Sequence, residues 1–222
     1  MREYNTEMTR IIFIRHGQSE ANEKHIFAGH SDFDLSDFGK TQASLAAKYL
    51  LAREKIDAIY ASDLLRAYNT ACPIAEAFEL PVIKDTGLRE IYAGEWEALS
   101  FTEIAERYPE AFGVWRNDYS SARPVGGEST AEVYRRIVPH VLELAKKHDG
   151  GCILLATHAT VVRAFDAYAR GYSENETEKI PFYHNASINI YSYNDGRAEV
   201  VRSDITEHLG ELISTLPPII NA

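Results

Sequence analysis

Four apolar residues in a row, Ile11-Ile12-Phe13-Ile14, run directly into Arg15-His16-Gly17. An unbroken apolar run, rather than an alternating one, suits a strand covered on both faces. Such strands belong to parallel sheets flanked by helices. Their carboxyl ends form the edge where open α/β sheets hold ligands. The three residues placed there suit a phosphate. Arg offers a planar fork of donors, Gly lets the backbone come close, and His is a nucleophile or proton carrier near neutral pH.

The same logic recurs twice. Asp57-Ala58-Ile59-Tyr60-Ala61 reads as a second buried strand, and Ser62-Asp63 then opens a helix through Ala77 with Arg66 in its first turn. A helix N-terminus favours anions, so Arg66 can point to the edge that holds Arg15, or else pair with Asp63. Cys152-Ile153-Leu154-Leu155-Ala156 is the third run, followed by Thr157-His158-Ala159-Thr160 and a helix over 161–169. Ser36 suits the N-cap of a helix from about Asp37 to Arg53. Leu80-Pro81-Val82-Ile83 is a short strand, and Glu128-Ser129-Thr130 opens a helix to Lys147 that Gly150 and Gly151 end. Asp195-Gly196, between β-prone runs over 185–193 and 198–201, predicts a hairpin.

The expected fold is a single-domain, three-layer α/β/α sandwich with a mostly parallel sheet. A helical insertion at about 95–130, broken by Pro124, Gly126 and Gly127, is expected to lie over the sheet edge as a lid. Phe112 and Trp115 are assigned to the core, and Arg116, Tyr119 and Arg123 are candidate substrate contacts. The tail Leu216-Pro217-Pro218-Ile219-Ile220 packs either on the body or on a second subunit, which would make a homodimer.

A formal net charge of −10 argues against nucleic acid as a partner. It leaves room for a small phosphorylated metabolite held by a local Arg and His cluster. No apolar run is long enough for a membrane helix. The polar start, Met1 to Met8, lacks the apolar region of a secretory signal, so a cytoplasmic protein is expected. Cys72 and Cys152 lie far apart and read as small hydrophobes. No zinc-type histidine spacing occurs, and neither a metal nor a cofactor is expected.

Taken together, the stretches Arg15-His16-Gly17-Gln18-Ser19-Glu20-Ala21-Asn22, Ser62 to Ala71, Gly87 to Leu99 and Thr157-His158 resemble, in order, the motifs of the histidine phosphatase superfamily, which contains phosphoglycerate mutases and many phosphomonoesterases. The resemblance covers roughly Ile11 to Val201. It implies His16 as a nucleophile forming a phosphohistidine, Arg15 and Arg66 as phosphate ligands, and a protonated His158 as a further cation. Asn22 would donate an amide hydrogen bond, with Gly17, Ala28, Gly29 and Ala159 around the substrate. Gly17 or a nearby carbonyl would hold the second ring nitrogen of His16. Asp85, Glu90, Glu95 and Glu97 all lie in one stretch, and composition does not choose among them. Only the match of Leu88-Arg89-Glu90, followed by Gly94-Glu95-Trp96-Glu97, selects Glu90 as proton donor. Ala159 stands where members often have Gly.

Cofactor-dependent mutases of the family hold a bisphosphoglycerate with extra basic residues. The corresponding regions here read Leu99-Ser100-Phe101, Trp115-Arg116-Asn117 and Ala28-Gly29. One Arg and no Lys make an incomplete site for a doubly anionic glycerate. The segment Arg123-Pro124-Val125-Gly126-Gly127-Glu128-Ser129 resembles phosphatase-type members instead. The expectation is therefore a metal-independent phosphomonoesterase. A mutase is the alternative, and a non-catalytic phospho-ligand binding protein is a more distant one, since all five pocket residues are present.

Overall fold

The computed structural model describes residues 8–214; the polar start before them and the tail Leu216 to Ile220 lie outside. The elements in chain order are β1 (Thr9–Arg15), α1 (Glu20–Glu23), α2 (Asp37–Leu51), β2 (Ala58–Ala61), α3 (Leu65–Phe78), β3 (Val82–Lys84), α4 (Phe101–Arg107), α5 (Pro109–Asn117), α6 (Thr130–Lys147), β4 (Cys152–Thr157), α7 (Ala159–Ala169), β5 (Ile188–Asn194) and β6 (Arg197–Ile205). They form one six-stranded sheet of order β3-β2-β4-β1-β5-β6. Strands β3, β2, β4 and β1 are parallel, and β5 and β6 add an antiparallel hairpin beside β1. The hairpin turns at Asp195 and Gly196, both with positive φ, as the sequence leads one to expect.

The apolar run of β1 serves both faces of the sheet. Ile11 and Phe13 join a core with Val133, Ile137 and Val141 of α6 and Val161 and Phe165 of α7. Ile12 and Ile14 join the opposite core with Ala46 and Leu50 of α2 and Ala71 and Ile74 of α3. The sandwich is therefore α2 and α3, sheet, then α6 and α7. The insertion forms α4 and α5, and it packs rather than floats. Phe112 and Trp115 are 5% and 7% exposed, in the α6/α7-side core.

Helix α3 begins at Leu65, later than the polar pair Ser62-Asp63 suggests, and its N-cap Leu64 makes no side-chain cap. Asp32, from the loop after α1, caps instead by accepting the Leu65 N–H at 2.7 Å. Asp63 is turned to Arg89. Helices α2 and α6 start where Ser36 and Ser129 accept the N–H groups of Gly39 and Glu132. Among the described residues, no helix is long and apolar enough to cross a membrane.

The loop leaving β1 must cross the first turn of α2 at close range. A Cβ on Gly39 would lie 2.0 Å from the Gln18 carbonyl oxygen, and one on Gly17 would lie 2.6 Å from the Gly39 carbonyl oxygen. Both obstacles are backbone and cannot swing away. Ala normally stabilises a helix relative to Gly by about 1 kcal/mol. At Gly39 the sign should reverse: Gly39→Ala is expected to lower unfolding free energy by about 1–3 kcal/mol, read by chemical denaturation.

Candidate active site

Residue His16 leaves the end of β1 with its N–H bonded to the Thr157 carbonyl of β4 at 2.8 Å. Its Nδ1 lies 2.7 Å from the Gly17 carbonyl oxygen. A carbonyl only accepts, so Nδ1 carries the proton and Nε2 keeps its lone pair. Gly17 is itself held by its N–H donating to Thr70 Oγ1 at 3.0 Å. Burial, with Arg66 and Arg15 close by, pushes the His16 imidazole well below its usual 6.5. The ring is neutral at physiological pH.

At the end of β4, His158 brings its ring edge-on to His16, with centroids 5.3 Å apart. Its Nε2 lies 2.8 Å from Ser62 Oγ, and its buried Nδ1 has no partner. The expected positive charge is not what this environment favours. Burial and the Arg66 charge push this imidazole, too, well below 6.5.

Both arginines reach the sheet edge. Arg66, only 1% exposed, donates to the Ser31 carbonyl at 3.0 Å and the Gly29 carbonyl at 2.7 Å. The alternative pairing with Asp63 does not form, because Asp63 is taken by Arg89. Arg15 donates from Nη1 to the Tyr183 carbonyl, while its buried Nε has no acceptor. Burial pulls both guanidiniums down to about 10, against the pull of Glu90. They remain cations at neutral pH.

Asn22 is oriented by its amide oxygen, which accepts from Ser19 N, Ser19 Oγ and Asn185 Nδ2 at 3.0–3.2 Å. That leaves the amide NH2 as the group offered to the cleft. Ala28, Gly29 and Ala159 line the same cleft, but Gly17 does not. Its part is to fix the His16 tautomer and to pass close to α2.

Four acidic residues compete in the stretch over 85–97, and three are occupied. Asp85 accepts from Gly87 N and faces His140 Nε2 at 2.7 Å. Glu95 accepts from the Tyr108 hydroxyl. Glu97 accepts from the N–H groups of His30, Ser31 and Ala93 and from Ser31 Oγ. Glu90 alone lines the cleft, beside Arg15 and Arg66. Its Oε1 accepts from Ile91 N at 2.8 Å, and its Oε2 faces Thr160 N at 3.4 Å.

Two residues have positioning roles that the sequence did not assign to them. Glu97 clamps the loop over 28–31, whose carbonyls hold Arg66. Gly29, at φ +49°, packs so tightly there that a Cβ would lie 2.2 Å from Glu97 Oε1. Arg136, on α6, donates to the carbonyls of Gly87, Arg89 and Glu90 and to the Glu128 carboxylate, fixing the segment that carries Glu90. His30 Nε2 adds a second donor to the Glu90 carbonyl at 2.8 Å. Of the candidate lid contacts, Arg123 is turned to Glu132 at 2.6 Å. Tyr119 is buried and donates to Thr160 Oγ1. Arg116 lines a neighbouring cavity, separated from the cleft by the shared residues Trp115 and Phe182. Among the described residues, no three His, Cys, Asp or Glu side chains group as metal ligands.

The chain is 36% identical over 204 residues to phosphoserine phosphatase 1 of Hydrogenobacter thermophilus, covering 92% of this chain and 96% of that protein. It is 33% identical over 192 residues to a metal-independent phosphoserine phosphatase of Arabidopsis thaliana, covering 86% of this chain and 79% of the relative. The solved structure of a mycobacterial glucosyl-3-phosphoglycerate phosphatase with VO3 is 33% identical. It superimposes with a TM-score of 0.80 over 87% of this chain and 97% of that one. Residues 11–206, which include every pocket residue described above, match the histidine phosphatase superfamily (branch 1), and to that superfamily the chain belongs.

Proposed function

We propose that the cleft hydrolyses a small phosphomonoester by passing its phosphoryl group first to His16 and then to water. The observation that carries this reading is the His16 ring held with Nδ1 on the Gly17 carbonyl, which leaves Nε2 its lone pair, beside two buried guanidiniums. A phosphate monoester brings charge near −2 to that place. Arg15, Arg66 and the Asn22 amide would hold its non-bridging oxygens. Nε2 of His16 attacks phosphorus in line, and the P–O ester bond breaks. Glu90, in its acid form, gives its proton to the departing oxygen. The resulting carboxylate then takes a proton from water. The hydroxide attacks phosphorus, the P–N bond breaks, and inorganic phosphate leaves with His16 neutral again. A bound dianion beside His158 raises the affinity of that ring for a proton, so the cation expected from the sequence would form only with substrate present.

Hydrolysis, rather than transfer to a second hydroxyl, fits the distribution of charge. Among the described residues lining the cleft, the Lys and Arg side chains are Arg15 and Arg66, both at the phosphate end. The relatives named as phosphatases agree with this reading.

His16→Ala is expected to abolish phosphate release from a panel of phosphomonoesters while the circular dichroism spectrum stays native; retained turnover would place the nucleophile elsewhere. Glu90→Gln should cost far more with alkyl phosphates than with p-nitrophenyl phosphate, whose leaving group needs little protonation. Equal losses would remove Glu90 from the acid role. Because burial holds His16 and His158 below 6.5, an NMR titration of the free protein should find both rings neutral at pH 6.5, each protonating only as pH falls further. A midpoint at or above 6.5 for either would contradict the electrostatics of the site.

A further inference from the structure

Beyond the phosphate end, the cleft changes character. Its remaining wall includes Ile26, Phe27, Ile91, Phe101, Trp115 and Phe182. The aromatic members form a continuous belt. Phe27 meets Phe101 at 5.9 Å and Trp115 at 5.0 Å between ring centroids, Trp115 meets Tyr119 at 4.9 Å, and Tyr119 meets Phe182 at 5.3 Å. The Arg163 guanidinium packs on both Tyr119 and Phe182, 3.8 and 3.9 Å from their ring centroids, and donates to the Ile180 carbonyl. Arg163 thus braces the Tyr119 and Phe182 end of the belt. Away from the phosphate end, few polar side chains face this wall. Ser19 and Asn22 bond each other, and Thr160 Oγ1 accepts from Tyr119.

We infer that the belt formed by Phe27, Phe101, Trp115 and Phe182 receives an apolar leaving group, so that the preferred substrates are phosphate monoesters of aliphatic or aromatic alcohols rather than of carboxylated ones. The inference rests on the hydrolase reading of the same cleft. A carboxylate placed against this wall would lose its water, and among the described residues the only Lys or Arg side chains in the cleft lining are Arg15 and Arg66, at the phosphate end. It would also face the charge left on Glu90 after proton donation. An alkyl or aryl group meets neither cost and gains from burial against rings already held in place. The substrate class therefore differs from the acids that the relatives' names specify.

The test is a series of n-alkyl phosphates from ethyl to hexyl, run beside phosphoserine and 3-phosphoglycerate, all with leaving oxygens that need protonation. Phosphate release should show kcat/KM rising with chain length by up to about fourfold per methylene, with hexyl phosphate above both carboxylated esters. Phe101→Ala, at a partly buried position, should flatten that slope more than it changes ethyl phosphate turnover. A flat or falling series, or a carboxylated ester that exceeds hexyl phosphate, overturns the inference. The matching n-alkyl phosphonates, titrated calorimetrically into the same protein, separate the two readings. If no ester yields phosphate, the hydrolase reading fails, while the dependence of phosphonate affinity on chain length still decides the character of the belt.

Discussion

Two guanidiniums buried at one edge of the sheet are the constraint on which this molecule turns. Removing even one cation from water is costly unless partners meet it. Here the partners are mostly backbone carbonyls. Gly29 and Ser31 serve Arg66, and Tyr183 serves Arg15. Carbonyls satisfy donors without cancelling charge, so the edge keeps a positive potential inside a protein of net charge −10. Much of the surrounding architecture follows from delivering those carbonyls. The loop over 28–31 needs Glu97 to hold its shape, and Glu97 in turn constrains Gly29.

The same burial sets the protonation states. A histidine surrounded by cations and shielded from water has every reason to be neutral, and a neutral imidazole with its Nδ1 proton committed elsewhere is a nucleophile at Nε2. No separate base is needed to activate it. Glu90 lies near the arginines, its backbone pinned by Arg136 and His30 while its side chain faces the cleft. Rigidity is assigned to main chain, and chemistry to side chain.

Much of this was legible in the residues. Three apolar runs, each closed by a polar group, placed Arg15, His16, Arg66 and His158 at one edge, because a buried parallel strand leaves its carboxyl end no other place to go. The hairpin at Asp195-Gly196 was equally local. What escaped were contacts between distant segments. Asp32 caps α3, so the helix starts past Ser62-Asp63. Glu97 and Arg136 hold backbone that lies 46 to 67 positions away in the chain. The charge of His158 escaped for a related reason, since its burial and the nearby Arg66 charge arise only after folding.

The aromatic belt has a historical consequence. Phe27 and Trp115 are wall and core at once, each no more than 7% exposed and packed with Trp96. Reshaping the cleft at either position would also open a void in the interior. Lineages descending from such a chain can therefore change diet most cheaply through Phe101 and Phe182, the partly buried members. The remainder of the wall is inherited along with the stability of the fold.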